Sequence, residues 1–355
     1  MTTLEELIMK RRVLICAGPG GVGKTTVAAS VALEAARLGR RACVVTIDPA
    51  KRLADALGLE ELTNEARPVG GVPAGDGESG GGLWALMLDT KTTFDEVVLR
   101  NAGSPEQAQA ILDNKLYRNI SGALGGTQEY MAMEKLYELN QSDRFDLVVV
   151  DTPPTRHALD FLDAPARLLR FLNNRIFRLL MMPTRAGLKA VGVATQLFLR
   201  TVSRVVGGAI VKDAVAFFEA FEGMEQGFRD RAGKVEELLS DEGTSFVVVS
   251  SPRRDAVAEA VFFADRLSVS SGRVGALIVN RMFPAFGPVP AGLDGDLATN
   301  MAQLYGVASS EERYVSELSE RLPGVPVVRV PFLSEDVHDL DGLSEVGAWM
   351  LGEHR

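Results

Sequence analysis

The run Gly18-Pro19-Gly20-Gly21-Val22-Gly23-Lys24-Thr25-Thr26 holds the residue types that chemistry on a polyphosphate requires. It fits the pattern G-x-x-x-x-G-K-[ST]. Glycines at this density let backbone N–H groups from Gly20 to Thr26 turn inward around phosphate oxygens, and a following helix adds the positive end of its dipole. Lys24 can reach the terminal phosphates, and the Thr25 hydroxyl can ligate Mg2+. The competing reading is a glycine turn ahead of an ordinary helix.

Three further places carry candidate chemistry. Phe145 to Val150 is an apolar run ending in Asp151, followed by Thr152-Pro153-Pro154-Thr155. A carboxylate there can hold Mg2+, usually through water, beside Thr25, and the prolines favour an extended loop that can move with the γ-phosphate. The alternative is an Asp that merely ends a strand. Ala42 to Ile47 runs into Asp48-Pro49-Ala50. In a parallel sheet Asp48 lies beside the glycine loop and can orient, or take a proton from, the water that attacks the γ-phosphate. It can equally cap a helix from Lys51 onward. Asn280-Arg281 and Pro331-Phe332 end two later strands. Asn280 offers the donor and acceptor that suit adenine N6 and N7, and the rings of Pro331 and Phe332 can wall the base. Turn formation by Asn280 and core packing by Pro331-Phe332 are the plain alternatives.

These groups need strands that deliver them to one edge. Short Val/Ile/Leu runs at 13–17, 42–47, 83–88, 147–150, 246–250, 276–279 and 327–330 alternate with helical stretches. Near-continuous apolar runs suit a parallel sheet covered on both faces. The expected class is α/β: a doubly wound, mainly parallel sheet of the phosphate-loop NTPase kind, with a helical insertion subdomain. Residues 1–90, 145–155 and 242–355 are assigned to the nucleotide-binding domain, and 91–144 with 156–241 to the helical subdomain. Residues 67–82, rich in Gly and Pro, are expected to form a flexible loop.

Bulk numbers bound the rest. The 355 residues are 46% hydrophobic and 24% charged, an ordinary globular composition. The net charge of −9 argues against general nucleic-acid binding, which needs a basic footprint. Both cysteines, Cys16 and Cys43, fall in expected core strands and read as small hydrophobes. No apolar run of membrane-spanning length and no leader pattern is apparent, so a cytoplasmic protein is expected. His157 reads as a packing residue, and His338 and His354 as lone histidines without a metal.

Taken together these residues resemble the ArsA family of ATPases, which includes the arsenite-pump ATPase and the ATPase that targets tail-anchored membrane proteins. GPGGVGKTT is similar to the family's GKGGVGKTT. Asp48-Pro49-Ala50-Lys51-Arg52-Leu53 resembles its switch I, and Asp151-Thr152-Pro153-Pro154-Thr155-Arg156-His157-Ala158-Leu159 its switch II. The resemblance implies a Mg2+-dependent ATPase that binds ATP and ADP, with Asp48 positioning water, Lys24 catalytic, Thr25 and Asp151 on the metal, and Asn280, Arg281, Pro331 and Phe332 around the base. It also implies a client: a hydrophobic helical segment or a membrane protein, held by the apolar stretch 166–220.

This chain departs from the family in three ways. Pro19 stands where the family carries a signature lysine that crosses a dimer interface, which implies slow hydrolysis or help from another group such as Lys51 or Arg52. The paired zinc-ligand cysteines are missing, so no zinc clamp is expected; a nucleotide-dependent homodimer, or a heterodimer with a related ATPase, remains open. Neither cysteine matches an exposed thiolate site for arsenic. The alternative functions are a nucleotide-gated binding module with weak turnover, an arsenite- or anion-transporting ATPase subunit, and a partitioning ATPase on DNA.

Overall fold

The structure, a computed structural model, describes residues 3–48, 50–72, 81–115, 117–118, 127–173, 208–269, 272–285 and 287–353. Eight strands lie in one sheet: β1 (Val13–Ala17), β2 (Arg41–Thr46), β3 (Arg67–Pro68), β4 (Gly82–Met87), β5 (Leu147–Asp151), β6 (Thr244–Ser250), β7 (Val274–Met282) and β8 (Val327–Pro331). Their order is β3-β4-β2-β5-β1-β6-β7-β8. Every pairing is parallel except β3 with β4. The glycine-loop strand β1 therefore lies inside the sheet, between β5 and β6. All five residues of β1, all five of β5 and all seven of β6 are buried, as continuous apolar runs in a doubly covered sheet require.

The helices among the described residues are α1 (Leu4–Lys10), α2 (Lys24–Arg37), α3 (Arg52–Ala56), α4 (Thr90–Asn101), α5 (Pro105–Leu112), α6 (Thr127–Gln141), α7 (Thr155–Asn173), α8 (Gly208–Phe221), α9 (Glu225–Ser240), α10 (Arg254–Val269), α11 (Gly295–Arg321) and α12 (Leu340–Leu351). None is long and apolar enough to cross a membrane.

The chain divides into two units. The first comprises Met1–Leu88, Leu136–Leu159 and Leu238–Arg355 and contains the whole sheet. Its largest core is built on α2. This helix follows the glycine loop, is rich in alanine, and buries Val27, Ala28, Val31, Ala32, Leu33 and Ala35. Small side chains let it lie close to the sheet and to α12. Gly39 in the left-handed conformation (φ +87°) turns the chain away into β2.

The second unit comprises Asp89–Lys135 and Asp160–Glu237. It has its own core, in which Val97, Ile111, Tyr117, Met131, Leu172 and Phe228 are buried. The expected boundaries at 90/91, 144/145, 155/156 and 241/242 lie close to this division but not on it. Within 67–82, expected as loop, Arg67 and Pro68 pair with Ala85 and Trp84, Val69 is buried, and Gly82 already belongs to β4. A proline is tolerated in β3 because the strand lies at the sheet edge. Residues 73–80 of that loop lie outside the described residues.

Candidate nucleotide site

The site is assembled within the first unit from the carboxyl ends of the parallel strands. β1 runs into the glycine loop, which passes hard against β6. A Cβ on Gly18 would lie 1.9 Å from the Val249 carbonyl oxygen, so only glycine fits. Gly21 and Gly23 both have positive φ, +77° and +89°. Gly23 is the N-cap of α2 and has no side chain to cap the first turn, which leaves backbone donors there for a ligand.

Lys24 is buried, and its Nζ donates to the Pro19 carbonyl at 2.8 Å. The ammonium is thus folded back onto its own loop. Burial lowers its pKa, opposed by the charges of Asp151 and Asp48, while Arg52 lowers it further. The Thr25 hydroxyl donates to Asp151 Oδ2 at 2.7 Å, and the Thr46 hydroxyl donates to the same oxygen at 3.1 Å. Sheet register brings these groups together: Asp151 stands opposite Thr46 on one side and Cys16 on the other. Asp151 Oδ1 is buried without a hydrogen-bond partner. Burial raises the Asp151 pKa to about 6, held back by the Thr25 and Thr46 hydroxyls and by Lys24. Thr152 fixes the exit from β5, donating from its hydroxyl to the Cys16 carbonyl at 2.8 Å.

Asp48 lies two residues beyond β2. Its Oδ1 accepts from the Ala50 N–H at 3.0 Å, and its own N–H donates to Thr46 Oγ1 at 3.2 Å. This is a local turn. It does not cap α3, whose N-cap is Lys51. Pro49 lies outside the described residues. Lys24, Thr25, Thr26, Asp48 and Asp151 line one cavity of about 310 Å3, which Arg52, Arg281, Val337 and His338 also face.

Asn280 and Arg281 brace the loop. Asn280 Nδ2 donates to the Val22 carbonyl at 2.9 Å, and its Oδ1 accepts from the Arg281 N–H at 2.9 Å. A Cβ on Gly23 would lie 2.3 Å from that Nδ2. Arg281 has φ +62°, the one non-glycine positive φ among the described residues, and its guanidinium donates to the Gly21 carbonyl at 3.2 Å. Strain of this kind persists where surroundings impose it. Arg281 also faces a second cavity, of about 350 Å3, on the Pro19 side of the loop, together with Gly20, Val22 and Phe332. Phe332 is 64% exposed, so it is not a core residue, and Pro331 is half-buried at the end of β8.

The fit to a hard divalent cation rests on the donor set. An unpartnered buried carboxylate oxygen beside a threonine hydroxyl is the all-oxygen arrangement that Mg2+ takes when phosphates complete its shell. Among the described residues no cluster of three or more His, Cys, Asp or Glu side chains suits a metal ion. Both cysteines are buried, in β1 and β2, and burial holds the Cys16 thiol far above its usual range. Reading the sequence passed over Thr46 and set His338 aside as a lone histidine. The first announces itself only as a hydroxyl at a strand end, and nothing in the sequence places the second.

In the second unit, the described part of the apolar stretch 166–220 packs inward. Leu172 and Phe218 are buried, and Leu168 and Leu169 pack against the same core. Residues 174–207 lie outside the described residues, as do the side chain of His157 and all of His354.

The family model for the anion-transporting ATPases matches residues 11–352. The putative arsenical pump-driving ATPase 1 of Aquifex aeolicus (strain VF5) is 24% identical over 352 residues, covering 96% of this chain and 79% of that protein. The ATPase GET3 of Malassezia globosa is 25% identical over 353 residues, covering 98% and 94%. The ATPase get3 of Schizosaccharomyces japonicus is 24% identical over 345 residues, covering 97% and 94%.

Proposed function

The chain belongs to the ArsA family of anion-transporting ATPases and is an ATP hydrolase of that family; on that premise we propose that Lys24, Thr25, Asp48 and Asp151 are the working groups of a Mg2+-dependent site. The observation that carries this reading is the Thr25–Asp151 hydrogen bond with the second carboxylate oxygen left unpartnered. Asp151, through water, and Thr25 would hold the ion, which when bound supplies charge neutralisation on phosphate oxygens.

The chain's own groups do the rest. Backbone N–H groups from Gly20 to Thr26 and the start of α2 bind the phosphates. Lys24 leaves the Pro19 carbonyl for the terminal phosphate. Asp48 orients a water and accepts its proton as the water oxygen bonds to the γ-phosphorus. The bond from that phosphorus to the β-phosphate oxygen breaks, giving ADP and phosphate. Asn280 and Arg281 hold the loop at the base end, where Pro331 and Phe332 stand.

The output we infer is nucleotide-dependent movement of the helical unit that handles a hydrophobic helical segment or a membrane protein. The burial of Cys16 and Cys43, which makes both unfit for a thiolate site, favours this over an arsenite role. A nucleotide-dependent homodimer, or a heterodimer with a related ATPase, fits the same reading; a cysteine-held zinc clamp does not. The acidic net charge speaks against nucleic acid as partner. A second reading, a nucleotide-gated binding module with weak turnover, is favoured by one residue, Pro19, which carries no charge and no N–H at a turn facing the phosphates.

Phosphate release with and without Mg2+ tests the proposal. Asp48→Asn is expected to lower kcat by at least about 100-fold while ATP still binds. Unchanged turnover in that variant would reject the mechanism.

A further inference from the structure

The phosphate-binding loop has a single cationic side chain, Lys24, and phosphoryl-transfer sites commonly place an arginine on the transferring group as well. Several cations stand near the loop, and their surroundings separate them. Arg281 is engaged with the Gly21 carbonyl at 3.2 Å. Arg253 faces the cavity on the Pro19 side and is ion-paired with Asp255 at 2.8 Å. Lys51 is exposed and does not line the 310 Å3 cavity.

Arg52 differs from all three. It begins α3, four residues after Asp48, and lines the cavity that holds Lys24, Thr25, Asp48 and Asp151. Its guanidinium has no hydrogen-bond or carboxylate partner among the described residues, although Asp55 lies one turn further on. The side chain is exposed and free to reorient. It shares that cavity with the Lys24 side chain. Two cations facing one cavity repel each other until a polyanion enters between them.

We propose that Arg52 is the second phosphate cation of this site, acting in cis on the terminal phosphate of the nucleotide bound by its own chain. This rests on the site described under the proposed function. A guanidinium presents paired donors to phosphate oxygens and stays charged throughout, so it can take up charge that develops as the terminal phosphoryl group is transferred. It would fill the need left by Pro19 without requiring a partner chain.

The test compares Arg52→Ala, Arg52→Lys and Lys51→Ala in the full chain. Arg52→Ala is expected to lower kcat by at least about 30-fold with the ATP Kd changed less than about threefold. It should also fail to trap ADP with aluminium fluoride while still binding ADP. Arg52→Lys should retain more turnover than Arg52→Ala, and Lys51→Ala should stay near wild type. Mixing Arg52→Ala chains with Lys24→Ala chains should restore nothing. A kcat for Arg52→Ala within twofold of wild type would overturn the proposal, as would recovery on mixing, which would put the cation in trans. If Asp48→Asn and Lys24→Ala abolish turnover while Arg52→Ala does not, the assignment of Arg52 alone fails. If none of the three affects turnover, the site reading itself fails.

Discussion

The Thr25 hydroxyl donates a hydrogen bond to Asp151 Oδ2 at 2.7 Å, and Oδ1 of the same carboxylate is buried with nothing to accept from. A buried, half-satisfied carboxylate is costly, and the cost is removed when a cation or its water takes the open oxygen. Thr25→Ala and Asp151→Asn are therefore expected to weaken Mg2+-dependent nucleotide binding by at least about tenfold, since each removes one oxygen from the ion's reach. ADP binding in excess chelator should change little. Titration calorimetry with and without Mg2+ makes the comparison, and equal losses in both conditions would place these residues on the nucleotide itself.

The same burial predicts a pH signature. Asp151 binds its proton more tightly folded than unfolded, with a folded pKa near 6 against an ordinary value of 3.8. The folded state then holds the proton between these values while the unfolded chain has lost it. The stabilising contribution is complete below about pH 4 and is lost as the pH rises through about 6. Asp151→Asn mimics the protonated group. In metal-free and nucleotide-free buffer it should exceed the wild type in stability at pH 7.5, by on the order of 2–3 kcal/mol, and match it near pH 3.5. Denaturant midpoints at the two pH values decide; a gap that widens toward low pH would contradict the sign.

Both side-chain ends of Asn280 are used inside the protein, on the Val22 carbonyl and the Arg281 N–H. A residue engaged in this way positions the loop more than it reads a base. Asn280→Ala should therefore weaken ATP and GTP binding by a similar factor, about tenfold, leaving the preference between them unchanged. Loss confined to ATP would return base recognition to the side chain. Gly23→Ala should be worse than Asn280→Ala, because it adds strain at φ +89° to a 2.3 Å clash with Nδ2. Relief of that clash, though not of the strain, is expected when both changes are combined.

What the chain reveals before folding is set by range. The strand Val13–Ala17 coincides with its apolar run, since a buried parallel strand needs nothing else to announce it. Lys24, Thr25 and Asp151 were legible because the first two share one local motif and the third ends an unbroken apolar strand. Arg67–Pro68 was hidden, because two residues with a proline inside a Gly/Pro-rich stretch carry no strand signal and pair only because the edge of β4 is there. Thr46 became part of the site through register alone: its place opposite Asp151 is a property of the sheet. His338 was invisible as a wall residue for a similar reason, and the sequence offered Lys51 and Arg52 together without separating them, since what each faces is decided by chain far from it in sequence.

Helices of the second unit converge on the buried charge of Glu134. Glu134 on α6 is 2% exposed; its Oε1 accepts from Arg231 Nε of α9 at 2.7 Å and lies 3.7 Å from Arg100 of α4. Next to it Lys135 meets Glu96 of α4 at 3.5 Å. Burial and the neighbouring Glu134 hold the Tyr130 hydroxyl far above its usual range, so it stays protonated at any working pH. Removing the carboxylate takes one counter-charge from Arg231 and one from Arg100, which keeps Glu96 at 3.7 Å; both arginines are partly exposed, which reduces the penalty below that of a fully buried pair. Glu134→Ala is expected to cost about 2–3 kcal/mol, and Glu134→Gln less, because the amide oxygen still accepts from Arg231. The loss should be local. Hydrogen exchange is expected to speed up in α4 and in the parts of α6 and α9 that belong to the second unit, residues 127–135 and 225–237, while β1, β5 and β6 keep their protection, because Val97, Tyr130, Met131 and Phe228 share a core that is separate from the one built on α2. Uniform loss of protection in the sheet as well would mean that the two cores unfold as one, and that the helical unit has no conformational freedom of its own to lend to an ATP-driven movement.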